Sequence, residues 1–194
     1  MRVEKYNSTM FKAKFVNFEH VGKALKDRHG YSNQQVSFVK IDPFNSGDIN
    51  ALESASKCWV NDKLALNIYY AACAIRNKSK YYKNHEVYAL TSQSANYENI
   101  KDDDILGLIQ VSPLEDKSMF IERFQVDPDL VNSMQPKFKG IGTAILNMLK
   151  QMNDKISCFP SSEKSVKDFY IKNGFKKSPD EINYYVWQKN SSQV

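Results

Sequence analysis

The sequence predicts an α+β domain, a mixed and largely antiparallel central sheet flanked by helices. Three observations predict it. Segments of strand and helix pattern follow the order strand, two helices, three strands, helix, strand, helix, then one or two strands. The three middle strands succeed one another with only turn-rich polar segments between them. The 194-residue chain is 42% hydrophobic and 12% aromatic, which is enough to bury a substantial core in one domain, with room for an extension.

Residues 1–34 are polar and irregular and read as an N-terminal extension packed on or near the domain. Within it, Phe18, Val21, Ala24 and Leu25 are spaced to line one face of a short helix. The first strand runs from Gln35 to Ile41 and ends at Pro43 and Asn45-Ser46-Gly47. Asp48 then caps a helix carrying Leu52, Ala55, Cys58 and Trp59 at helical spacing. A second helix presents Ala65, Ile68, Tyr69, Ala72 and Ile75 on one face, a core stripe. Val87–Thr91 and Ile105–Val111 are the next strands, and the acidic run Asp102-Asp103-Asp104 between them reads as a solvated hairpin tip. A strand over Met119–Val126 is stopped by Asp127-Pro128. A long loop leads to Gly140-Ile141-Gly142 and an amphipathic helix, with Ile141, Ile145, Met148, Leu149 and Met152 on its apolar face. A strand over Ile156–Phe159 follows, then a helix from about Ser162 to Lys172, stopped by Asn173-Gly174. Strands around Phe175 and across Ile182–Gln188 close the domain at about residue 190, leaving 191–194 as a tail.

Composition narrows the function. No window approaches the roughly 18 apolar residues of a membrane span, and Met1–Thr9 lacks the apolar stretch of a signal peptide, so the expected setting is the cytoplasm, without a membrane. Cys58, Cys73 and Cys158 form neither a disulfide framework nor a zinc pattern, and His20, His29 and His85 lack metal-ligand spacing, so no metal is expected. The net charge of +5 suits a polyanionic ligand and equally a lysine-rich surface.

One segment carries anion chemistry. Lys137-Phe138-Lys139-Gly140-Ile141-Gly142-Thr143 follows a strand and opens a helix. The first N–H groups of a helix have no internal partner, the helix dipole adds positive potential, and glycine lets backbone approach a phosphate. Thr143 adds a hydroxyl, and Lys137 and Lys139 add charge. The segment is neither a Walker loop nor a dinucleotide fingerprint. About thirty residues on, Phe169-Tyr170-Ile171-Lys172-Asn173-Gly174-Phe175 places a tyrosine one turn before a glycine stop.

In this order and spacing the two segments resemble the GNAT superfamily of N-acetyltransferases. The family's Gln/Arg-x-x-Gly-x-Gly/Ala reads Lys137-x-x-Gly140-x-Gly142 here, and its Phe/Leu-Tyr-x-x-x-Gly-Phe matches Phe169-Tyr170 and Gly174-Phe175. Ile121–Pro128 looks like the family's fourth strand and Ile105–Ile109 like its third. The resemblance covers about residues 36–188 and makes 35–190 a GNAT-like acyl-CoA N-acyltransferase domain. It departs from the family in Lys137, in a longer loop from Pro128 to Gly140, and in Ser161-Ser162-Glu163 where the family often has an asparagine.

The resemblance implies acetyl-CoA as co-substrate and direct attack of an acceptor amine on the thioester. The backbone of Phe124, Gln125 and Val126 would pair with pantetheine, with the Val126 amide polarising the thioester carbonyl. Residues Lys137 to Thr143 would hold the pyrophosphate. Tyr170 would protonate the departing thiolate, and Glu122 is the candidate base, placed by strand alternation on the face of Phe124 and Val126. Cys158 reads as a buried structural thiol. A longer acyl donor, a CoA-binding sensor without catalysis, and a basic nucleic-acid-binding module resting on Tyr81-Tyr82-Lys83 are the alternatives. The acceptor is a small-molecule or protein amine, and a homodimer stays open.

Overall fold

The computed structural model describes residues 14–25, 30–59, 63–92, 100–131, 136–179 and 181–189. The strands are β1 (Lys14–Ala24), β2 (Tyr31–Lys40), β3 (Glu86–Thr91), β4 (Ile105–Pro113), β5 (Ser118–Val126), β6 (Phe138–Lys139), β7 (Lys155–Cys158), β8 (Lys176–Lys177) and β9 (Tyr185–Gln188). The helices are α1 (Ser46–Cys58), α2 (Leu64–Arg76), α3 (Pro128–Val131), α4 (Ile141–Met152) and α5 (Lys164–Lys172). All nine strands join one sheet in the order β6-β1-β2-β3-β4-β5-β7-β9-β8. Every neighbouring pair is antiparallel except β5 with β7, so the predicted α+β class holds. Among the described residues no helix is long and apolar enough to cross a membrane.

Alternation divides the core between the two sheet faces. Val39, Val87, Ala89 and Leu108 meet Leu52, Ala55, Ala65 and Ile68 of α1 and α2. Their strand neighbours Phe38, Tyr88, Leu90 and Ile109 meet Ile145, Leu146, Leu149 and Tyr170 of α4 and α5. Burial on both faces explains why β3 and β4 read as nearly unbroken apolar runs. Gly107 serves this packing directly: a Cβ there would stand 2.7 Å from Ile145 Cδ1, so a larger residue would have to push the Ile145 side chain back from β4.

Four local expectations change. Residues 14–24 form strand β1, not a short helix. Val21 is buried in the sheet core, and β1 pairs with β2 from Lys14↔Lys40 to Ala24↔Tyr31. Cross-strand pairing overrides the helical spacing of Phe18, Val21 and Leu25, and the first predicted strand becomes the second arm of a hairpin that begins at Tyr31. The cap of α1 is Asn45, whose side chain accepts from the amides of Gly47 (2.7 Å) and Asp48 (3.3 Å). Asp48 instead lies buried inside the first turn, accepting from the Asp42 amide at 3.0 Å, and burial pushes its carboxyl up to about 6. The acidic run is a 3₁₀ turn tied inward, because Asp102 accepts from Ser54 and Asp104 from Ser92. Finally, the loop before the glycine turn contains α3 and the two-residue strand β6.

Candidate active site

The candidate site begins where two strands part. β7 runs parallel to β5 only from Ser118↔Lys155 to Ile121↔Cys158. β5 continues to Val126 along β4, so beyond Ile121 its other edge has no strand partner among the described residues. The gap lies beside the N-terminus of α4. A cavity of about 480 Å³ fills this corner, lined by Phe124, Val126, Gly140, Ile141, Gly142, Thr143, Ser165, Val166, Phe169 and Tyr170.

The turn at the head of α4 is built as an anion site requires. Gly140 has φ +82°, a left-handed conformation that costs other residues strain, while a Cβ on it would meet nothing within 4 Å. Conformation, not space, selects glycine there. At Gly142 the reason is contact: a Cβ would lie 3.0 Å from Phe169 Cζ and 3.5 Å from Phe124 Cζ. The first-turn amides of α4 open at the cavity without a side-chain cap.

The hairpin holds this turn from behind. β6 pairs with β1 at Gly22↔Lys139 and Lys23↔Phe138, the Ala24 amide donates to the Lys137 carbonyl at 2.9 Å, and the Tyr31 hydroxyl donates to the Pro136 carbonyl at 3.0 Å. Phe138 is buried, and Lys139 Nζ sits 4.2 Å from the centre of the Tyr31 ring. Lys137, Phe138 and Lys139 therefore support the turn and do not line the cavity.

Tyr170 closes the floor. Gly174, at φ +81°, ends α5 in a left-handed turn in which the Phe175 amide returns to the Tyr170 carbonyl at 3.0 Å. The Tyr170 ring packs on Phe169 and Phe175, and its hydroxyl interacts with the Cys158 thiol at the point where β5 and β7 part. Burial, reinforced by Cys158, raises the phenol well above its ordinary value, and burial pushes the Cys158 thiol up to about 12. Both groups are protonated at neutral pH.

Of the sequence-predicted residues, the cavity unites Phe124, Val126, Gly140, Ile141, Gly142, Thr143 and Tyr170. Gln125 is on β5, but its side chain is buried on the opposite face, accepting from the Ala65 amide at 2.5 Å. Glu122 corrects the alternation argument. Gln110 faces Arg123 while Val111 faces Ile121, so Glu122 is the extra residue of a β-bulge. Its exposed carboxylate accepts from Ser112 at 2.6 Å, on the face that Gln110 and Arg123 share, not on that of Phe124 and Val126. The sequence reading missed Ser165 and Val166 as cavity residues. The start of α5 was the available signal, because a helix whose C-terminal turn carries Tyr170 brings its N-terminal turn to the same cavity.

No protein-family model matches the chain, and no curated protein sequence matches it. Solved structures do. A protein from Exiguobacterium classed as an acetyltransferase superposes with a TM-score of 0.50 at 16% identity, over 79% of this chain and 93% of its own. A protein from Desulfovibrio desulfuricans classed as a GNAT-family acetyltransferase gives 0.51 at 13% identity, over 79% of this chain and 98% of its own. The fold is thus the GNAT fold.

Proposed function

We propose that this chain is an N-acetyltransferase that moves the acetyl group of acetyl-CoA directly to a primary amine. The observation that carries the reading is the parting of β5 from β7 beside the α4 N-terminus, with the Tyr170 hydroxyl at the fork. A strand-like pantetheine arm fits along the edge of residues 122–126, whose backbone groups have no strand partner on that side among the described residues. The pyrophosphate then meets the amides of Ile141, Gly142 and Thr143, where the helix dipole favours negative charge.

Each group has a defined task. The amine nitrogen attacks the thioester carbon, the N–C bond forms, and the C–S bond breaks. The sulfur leaves with the bonding pair and takes the phenolic proton of Tyr170, which solvent later restores. The surplus proton on nitrogen passes to Glu122. The bulge turns Glu122 toward the face opposite the cavity, so donor and acceptor reach the gap from opposite sides of the sheet. The Val126 amide serves as the backbone donor for the developing oxyanion. Tyr170 suits the acid role because burial keeps its hydroxyl protonated at neutral pH, ready to donate as the thiolate departs.

The test is a calorimetric titration with CoA and acetyl-CoA, followed by thiol release across a panel of primary amines. Binding together with amine-dependent release supports the reading. No CoA binding at millimolar concentration would overturn it.

A further inference from the structure

A polar network on the α1/α2 face of the sheet reaches Glu122 from the side away from the cavity. Arg123 Nη1 donates to Gln110 Oε1 at 2.8 Å, and Gln110 is fully buried. A guanidinium has no acceptor, so the amide oxygen must face Arg123 and the amide nitrogen must face His85. That nitrogen lies 2.7 Å from His85 Nδ1. It can only donate, so Nδ1 accepts and the ring proton resides on Nε2. Reversing the amide would set donor against donor at Arg123 in a buried place. Two strands thus lock one tautomer of His85.

His85 also forms part of the wall of an open trough of about 950 Å³, together with Glu115, Ser118, Lys155, Ser157 and Tyr184. Ser112 Oγ is 3.4 Å from both His85 ring nitrogens, longer than the usual N–H···O separation, so it competes only weakly for the Nε2 proton. The same hydroxyl donates to Glu122 at 2.6 Å. One hydroxyl therefore separates a fixed N–H donor from the carboxylate that receives the amine proton in the reaction proposed above.

We propose that the trough receives the acceptor and that His85 Nε2–H reads a hydrogen-bond-accepting oxygen on it, a few bonds from the amine held at Glu122. The preferred substrates are then primary amines with a nearby ether, hydroxyl or carbonyl oxygen, not plain alkyl amines. A site built to hydrogen-bond an oxygen rejects the analogue that lacks it, because the donor is left unpaired. This inference rests on the acetyl-transfer reading for its kinetic test.

The probes are 2-methoxyethylamine and n-butylamine, which differ by one oxygen in place of one methylene. With saturating acetyl-CoA, the ratio of their kcat/KM values should fall about tenfold or more from the parent to His85→Phe. His85→Gln, which keeps an N–H donor at the end of the side chain, should restore part of the ratio. Imidazole ¹⁵N spectra should show the Nε2–H tautomer in the parent. In Gln110→Glu, whose carboxylate accepts from both Arg123 and the ring, the spectra should show a proton on Nδ1. An unchanged ratio in folded His85→Phe, or an Nδ1–H tautomer in the parent, overturns the inference while leaving acetyl transfer intact. If neither CoA binding nor thiol release occurs, acetyl transfer falls instead. The trough is then decided by titrating both amines against the His85 Nε2 resonance: a shift with methoxyethylamine alone supports it, and no shift overturns it.

Discussion

Replacing Gly142 with alanine tests the cavity wall more sharply than a larger residue does. The added Cβ would stand 3.0 Å from Phe169 Cζ and 3.1 Å from Phe169 Cε2, below ordinary van der Waals contact. The ring must retreat by about half an ångström to reach the usual carbon separation, and such overpacking costs about 1–3 kcal/mol. Alanine in a helix offsets about 1 kcal/mol of this through backbone entropy, so folding should lose about 0–2 kcal/mol. Binding has no such offset. Phe169 and Phe124 are both cavity walls with ring centres 6.0 Å apart, and the displaced ring occupies donor space. A loss of about 1–2 kcal/mol in CoA affinity, roughly 5- to 30-fold, is expected. Urea denaturation measures the first quantity and calorimetric titration with CoA the second. Adding Phe169→Leu should return part of the affinity, since coupled neighbours depart from additivity. A folded Gly142→Ala variant that binds CoA as the parent does would remove the reason for placing the donor here.

Tyr170→Phe should leave CoA binding nearly intact and lower turnover by about 10- to 1000-fold in the thiol-release assay. Its stability cost should be near 1 kcal/mol by urea denaturation, since only the hydroxyl beside Cys158 is removed and the ring packing is kept. Gly107→Ala should destabilise the fold by about 1–3 kcal/mol by the same measurement, because the new methyl runs into Ile145. Asp48 gives a pH signature. Its carboxyl is raised to about 6 in the fold against 3.8 unfolded, so the unfolded chain releases its proton first and stability falls as pH rises from about 4 to 6. The full loss is on the order of 3 kcal/mol, and in Asp48→Asn the urea midpoint should be flatter across that window.

The elements legible in the sequence were those whose own residues carry a periodic signal. Helix α4 shows one apolar face and a glycine start, and α5 ends at Asn173-Gly174, so the sequence itself marks both sides of the cavity. The strand pair β3 and β4 was legible for the same reason. Strand β1 was not, because its outward residues include Phe18 and its polar partners do not alternate cleanly; only pairing with β2 makes it a strand. The bulge at Glu122 was invisible because it is a relation between β5 and β4, and one extra residue reverses every facing downstream of it. Gln125 shows the same limit, since nothing local announces that its side chain would bond the Ala65 amide sixty positions away.

The brace behind the glycine turn has a consequence for the order in which the molecule is assembled. Tyr31 and Pro136, which it joins, are 105 positions apart in sequence. Closing so long a loop has a large entropic cost, and contacts of that separation form late in folding. The amides at the head of α4 can exist in a nascent helix, but the approach of β6 to β1 requires both halves of the chain to have found each other. A partly folded chain therefore holds the pieces of a donor site without their alignment. On the proposed reading, competence to bind the donor therefore waits on the pairing of β6 with β1.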